Sequence, residues 1–118
     1  MVLLDTNIVI NHLEKAILTE HTQSVQFIVS VITVAELLRL PGLGEFETTE
    51  IERFLKTTVL KKVDAKIART AARIGRTRKT KLPDLLIAAT ALVLGIPLIT
   101  ENLRDFQAIP KLVVRKRP

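Results

Sequence analysis

Apolar residues in this chain fall into short continuous runs and longer stretches of helical spacing, and the two kinds alternate. Val2-Leu3-Leu4 is a continuous apolar run that ends at a carboxylate, Asp5, and predicts a buried strand. Ile8, Val9, Ile10 and Leu13 then recur at helical spacing behind Thr6 or Asn7, either of which can cap a helix. Gln26 to Ser30 predicts a second strand. Thr33-Val34-Ala35-Glu36-Leu37-Leu38 opens a second helix that Pro41-Gly42 stops. A third helix is predicted from Thr48 to Lys56, and the β-prone stretch Thr57 to Val63 predicts a strand. Asp64 can cap a helix that presents Ile67, Ala68, Ala71, Ala72 and Ile74. Pro83 suits a first helical position, and that helix runs to Leu94 and stops at Gly95. Pro97 to Thr100 and Leu112 to Val114 predict the last two strands.

Strands that alternate with helices, and that are apolar without a solvent-facing alternation, indicate an α/β fold with a parallel sheet covered on both faces. No repeat, low-complexity tract or linker interrupts the 118 residues, so one domain over 1–118 is expected. In such folds ligands bind outside the carboxyl ends of the strands. Asp5 lies just past the first strand, and Thr100 to Asp105 lie just past a later one. Glu36 and Asp84 open helices that follow strands or loops on the same edge. The topology therefore predicts four acids at one rim.

Composition narrows the function classes. A hydrophobic fraction of 47% supports a packed core over disorder, and the lack of cysteine excludes a disulfide framework or a thiolate metal site. No apolar run reaches the ~18 residues of a membrane span. The opening segment lacks the basic region and length of a signal peptide. A soluble, cytoplasmic protein is expected. The net charge of +6 and pI of about 10.1 favour a polyanionic partner. Much of that charge is clustered: Arg69, Arg73, Arg76, Arg78, Lys79 and Lys81 precede the Asp84 segment, and Arg115, Lys116 and Arg117 crowd the end.

Each acid has a purely structural alternative. Asp5 could cap the first helix, although Thr6 and Asn7 could do so instead. Glu36 stands three residues after Thr33, the spacing of a capping box. Asp84 could favour the positive end of its helix, and Asp105 could be a turn residue. Taken together, however, four acids at one sheet edge repel one another unless a cation sits among them. Carboxylate and water ligands select a hard ion such as Mg²⁺ or Mn²⁺ over zinc. The two histidines, His12 and His21, lie outside the acidic segments and are expected at the surface. No Ser-His-Asp, Cys-His or HExxH pattern occurs.

Four stretches, in order along nearly the whole chain, resemble the PIN-domain family, and within it the VapC-type toxins of toxin–antitoxin pairs. They are Leu4 to Asn7, Val31 to Leu37, Pro83 to Ala91 and Ile96 to Phe106. The resemblance implies a three-layer α/β/α fold with a mainly parallel sheet and an Mg²⁺- or Mn²⁺-dependent endoribonuclease activity. It implies that Asp5, Glu36 and Asp84 are the family's acids, with Asp5 and Asp84 as direct metal ligands. Relatives place the fourth acid at either of two positions, here Asn102 and Asp105; Asp105 is the choice, with Asn102 as a polar neighbour. Thr6 and Thr100 match positions that orient carboxylates, and Asn7 belongs with them. A homodimer and a cognate antitoxin are implied as well.

The mechanism expected is hydrolysis of an RNA phosphodiester by metal-activated water, with Arg76, Arg78, Lys79 and Lys81 on the RNA backbone. With four Phe and no Trp or Tyr, platforms for base stacking are scarce. Rival readings are a phosphatase with Asp5 as nucleophile, which wants a second Asp where Asn7 stands, a receiver-like domain, a non-catalytic nucleic-acid-binding module, and a free-standing PIN nuclease without an antitoxin.

Overall fold

The computed structural model describes residues 1–118 as a five-stranded sheet between two layers of helices. In chain order the elements are β1 Val2–Leu4, α1 Thr6–Lys15, a 3-10 turn Thr19–His21, β2 Phe27–Ser30, α2 Val31–Leu38 and α3 Glu45–Leu55. Then follow β3 Val59–Lys61, α4 Ala65–Gly75, α5 Leu82–Leu94, β4 Leu98–Ile99, α6 Leu103–Phe106 and β5 Val114–Arg115.

Every strand pair is parallel, in the order β3-β2-β1-β4-β5. The chain thus starts at the centre of the sheet, builds outward to one side through β2 and β3, and returns to the other side through β4 and β5. The reversal falls between β1 and β4, where Leu4 pairs with Ile99. Connections leaving these two strands diverge, and the crevice they leave is where ligands bind in open α/β sheets.

The period-2 geometry of the strands divides the core. Val2, Leu4, Phe27, Val29 and Ile99 face one side, against Ile8 and Val9 of α1, Leu37 of α2, and Ile51 and Leu55 of α3. Leu3, Ile28 and Leu98 face the other side, against Ile87, Ala88 and Ala91 of α5 with Phe106 and Ile109. Helix α4 packs on α5 through Ile67 and Ala71 against Leu85 and Ala89. Gly75 permits this close approach, because a Cβ there would stand 2.8 Å from Leu85 Cδ1. Gly95 ends α5 in the left-handed region at φ 67°.

Several boundaries differ from expectation, each for a local reason. Helix α2 begins at Val31 because Ser30 Oγ accepts the Ile32 N–H at 3.0 Å, so Thr33 lies inside the helix. Helix α3 begins at Glu45: the Glu47 carboxylate reaches back to accept the Gly44 N–H at 3.1 Å, and the Thr48 hydroxyl donates to the Gly44 carbonyl. Asp64 caps α4 as expected, accepting from the Ile67 N–H at 2.9 Å. His12, like His21, is half-buried rather than fully exposed. Its Nδ1 accepts the Leu18 N–H at 3.1 Å, its ring tilts over Phe54, and burial pulls its pKa below the usual histidine value. No helix is long and apolar enough to cross a membrane.

Candidate active site

The rim above the β1/β4 switch point is built from residues whose local roles are dictated by helix starts. Asp5 directly follows β1 and is itself the N-cap of α1, so neither Thr6 nor Asn7 takes that role. Its Oδ1 accepts the Thr6 N–H at 2.8 Å, and its Oδ2 accepts the Thr100 hydroxyl at 2.8 Å. Capping leaves Asp5 in the site: the residue is 5% exposed, yet each oxygen has one donor and keeps a lone pair.

Glu36 is not a capping residue. The Thr6 hydroxyl, freed from capping, donates to Glu36 Oε1 at 2.7 Å. Because that hydroxyl has one proton, the 2.9 Å contact between Thr6 Oγ1 and Thr33 Oγ1 must be donated by Thr33. Thr33 is fully buried and sits one helical turn before Glu36, on the same face of α2. Its part in holding Glu36 was visible only as a rival capping box in the sequence, although the three-residue spacing already placed both side chains together.

The fourth position involves both candidates. Thr100, fully buried, donates to Asp5 and accepts the Asn102 N–H at 2.9 Å. The Asn102 side-chain amide donates to Asp105 Oδ2 at 2.7 Å. Asn102 thus orients Asp105, and the pair is linked through Thr100 to Asp5. Asn7 is exposed and its side chain makes no hydrogen bond within the chain.

Electrostatics ties the four acids into one neighbourhood. Burial pushes the Asp5 carboxyl above the usual aspartate value, the Thr100 and Thr6 hydrogen bonds pull it back, and the Glu36 charge raises it again. Asp84, in the first turn of α5, is raised by burial and then by the charges of Asp5, Glu36 and Asp105, with Lys81 opposing. No hydrogen-bond donor of the chain reaches the Asp84 carboxylate, and Glu36 Oε2 and Asp105 Oδ1 are likewise without one. The acids stand apart, with no three of them drawn into a ready-made cage. Like charges in one neighbourhood repel, and a cation among them would offset that repulsion. Carboxylates that keep free oxygens, with Asp5, Glu36 and Asp84 at least partly buried and a single opposing lysine, have the donor chemistry of a hard divalent ion.

The basic segment divides. Lys81 is close enough to act on Asp84. Arg76, the C-cap of α4, and Lys79 are exposed. Arg78 turns aside, donating to the Ala108 carbonyl at 2.9 Å.

Comparison with known proteins gives the same frame. The PIN domain family matches residues 2–112. Ribonuclease VapC19 of Mycobacterium tuberculosis is 33% identical over 125 residues, covering 95% of this chain and 97% of that protein. The structure of VapBC-1 from nontypeable Haemophilus influenzae superposes with a TM-score of 0.85 at 28% identity, covering 98% of this chain and 97% of that one. A toxin–antitoxin complex from Klebsiella pneumoniae superposes with a TM-score of 0.76 at 29% identity, covering 96% of each chain. With its order of strands, its acidic rim and a family match across nearly its full length, this chain belongs to the PIN domain family.

Proposed function

We propose that this protein is a divalent-metal-dependent endoribonuclease and the toxin of a toxin–antitoxin pair. The observation that supports the reading most is the group of four acids at the β1/β4 crevice, where burial and then the neighbouring carboxylate charges raise Asp5 and Asp84, and Lys81 alone opposes the rise at Asp84. A site of that sign repels a phosphodiester unless a cation intervenes. A non-catalytic RNA-binding module would gain nothing from it. The named ribonuclease relative and the toxin–antitoxin neighbours point the same way.

In this reading Asp5 and Asp84 would hold Mg²⁺ or Mn²⁺, and Glu36 and Asp105 would complete the set. The ion would neutralise charge developing on the phosphate and make a bound water more acidic. Asp5 is held in place by the Thr6 N–H and the Thr100 hydroxyl, so little reorganisation is needed on binding. Glu36, fixed through Thr6 and Thr33, orients the attacking water and accepts its proton. The water oxygen bonds to phosphorus, one P–O ester bond breaks, and the proton passes to the departing ribose oxygen. Lys81, with Arg76 and Lys79, contacts the RNA backbone, which confers affinity without sequence choice.

For the antitoxin we assign the apolar cleft between α1, α2 and α3, where Leu13, Leu40 and Phe46 are exposed, Phe46 by 73%. Glu14, Glu47 and Glu50 border it, so a partner segment with apolar anchors and basic flanks fits. A homodimer belongs to the same proposal and is measured by light scattering. The decisive experiment incubates the folded protein with structured RNA in Mn²⁺, in EDTA, and as Asp84→Asn in Mn²⁺. Cleavage in the first sample alone is expected. Equal cleavage in all three would overturn the metal-nuclease reading, and binding without cleavage would favour the module.

A further inference from the structure

On the opposite side of the sheet from the antitoxin cleft, a groove of about 740 Å³ runs between α4, the C-terminal half of α5 and the turn that enters β5. None of the four acids lines it. Its floor is aliphatic, formed by Leu92, Ile96, Leu112 and Val113, and Val113 remains 50% exposed. Its rims are cationic on both sides: Lys66, Arg73 and Arg78 on one, Lys111 and Arg115 on the other. No Asp or Glu lines the groove. The ion pairs of the chain are Arg53–Glu50, Lys61–Asp64 and Arg117–Glu101, so all five rim cations lack an acidic partner. Lys111 is also held at φ 68°, a backbone conformation a lysine adopts only when its surroundings impose it.

Three occupants can be weighed by chemistry. A second copy in a two-fold contact would set five cations against the same five, which is repulsive. An RNA strand matches the cations but leaves the aliphatic floor uncovered, and the groove has no aromatic ring on which a base could stack. A protein helix with apolar residues on one face and carboxylates along both flanks matches floor and rims together. The spacing agrees, since Lys66 and Arg73 are seven residues apart on α4, about 10.5 Å at ~1.5 Å per residue, and carboxylates at i and i+7 on a partner helix repeat at the same interval.

We propose that this groove is a docking site for an acidic amphipathic helix of a partner protein, separate from the acidic pocket and from the α1–α3 cleft. The probe is a synthetic helix of about 14 residues, four turns, with leucine on one face and glutamate on its flanks. Two controls replace the leucines by serine or the glutamates by lysine, and a third arm uses a uridine oligonucleotide. Methyl NMR on the intact chain reports the location. Shifts of Leu92, Ile96, Leu112 and Val113, with Leu13 and Leu40 unmoved, are expected for the acidic leucine helix alone. The variant combining Arg73→Glu with Lys111→Glu should weaken its binding at least about tenfold, with salt having a similar effect on the wild type, while RNA cleavage is retained. No methyl shift, equal binding of the serine control, shifts at Leu13 and Leu40 instead, oligonucleotide shifts at the same four methyls, or self-association that the charge-reversed variant abolishes would each overturn the proposal. None of these outcomes bears on the nuclease reading, which is decided by cleavage.

Discussion

Replacing Thr100 by valine removes one hydroxyl and leaves the volume nearly unchanged, so it isolates the hydrogen bonds that Thr100 makes. Thr100 is fully buried, donates to Asp5 Oδ2 at 2.8 Å and accepts the Asn102 N–H at 2.9 Å. A hydrogen bond to a charged, buried acceptor contributes about 1.5–3 kcal/mol, and the backbone bond adds about 1 kcal/mol. Relaxation recovers part of this, because Asn102 is only partly buried and its N–H can turn to water. A net loss of about 2–3 kcal/mol at neutral pH follows. For 118 residues an unfolding entropy of roughly 0.25 kcal/mol/K converts this to a drop in Tm of about 8–12 °C. The loss depends on pH. Asp5 already has a raised pKa, so the folded state holds its proton more tightly than the unfolded state does. Stability from this group therefore falls as pH rises from the unfolded value through the folded one. Without the Thr100 hydroxyl the folded pKa rises further, so the destabilisation should be larger at about pH 8 than at about pH 5. Thermal and urea denaturation in EDTA at both pH values, with Thr100→Ser as the variant that keeps the hydroxyl, measures it. A loss under about 0.5 kcal/mol, or one equal at the two pH values, would refute the dependence of Asp5 on Thr100.

Three further outcomes are expected. Asp84→Asn should stabilise the metal-free protein at neutral pH by about 0.5–1 kcal/mol, a modest gain because Asp84 is partly exposed and its repulsion is screened; calorimetry should show Mn²⁺ stabilising the wild type and not this variant. Thr6→Val, which frees Glu36 and strands the Thr33 hydroxyl, should lower kcat about tenfold to a hundredfold with little change in KM, as measured on a short RNA, and Thr6→Ser should restore it. His12 has a lowered pKa and accepts the Leu18 N–H, so its contribution to stability is present above the unfolded value of 6.5 and is lost as pH falls below it; His12→Leu should flatten that part of the stability profile in urea titrations, and an unchanged profile would exclude the contribution.

How the chain divides between what was legible in advance and what was not follows from the range of each interaction. Runs such as Val2 to Leu4, the capping of α4 by Asp64 and the stop at Gly95 depend on neighbours a few residues away, so spacing alone reports them. The acids Asp5, Glu36, Asp84 and Asp105 could be nominated for the same reason, since each sits beside an apolar run that ends or begins at the strands' carboxyl edge. Which donor meets which acceptor was open. Thr6, Asn7 and Asp5 were all competent caps for α1, and Thr33 and Thr6 were both competent partners for Glu36. The choice required the β1–β4 and β1–β2 registers, which bring Thr100 to Asp5 across 95 residues and Glu36 to Thr6 across 30. Arg78 illustrates the same limit: adjacency in sequence placed it beside Asp84, whereas the fold directs it to Ala108 and the basic groove. Periodicity thus determined the layers, the order of strands and helices along the chain and the identity of the acidic residues, while strand ends such as those of β3 (Val59–Lys61) and β5 (Val114–Arg115) differ from the expected Thr57 to Val63 and Leu112 to Val114. Only the packed sheet decided their partners and the clefts between elements, because hydrogen bonds and surface charge patterns act over a few ångströms in space, whatever the separation along the chain.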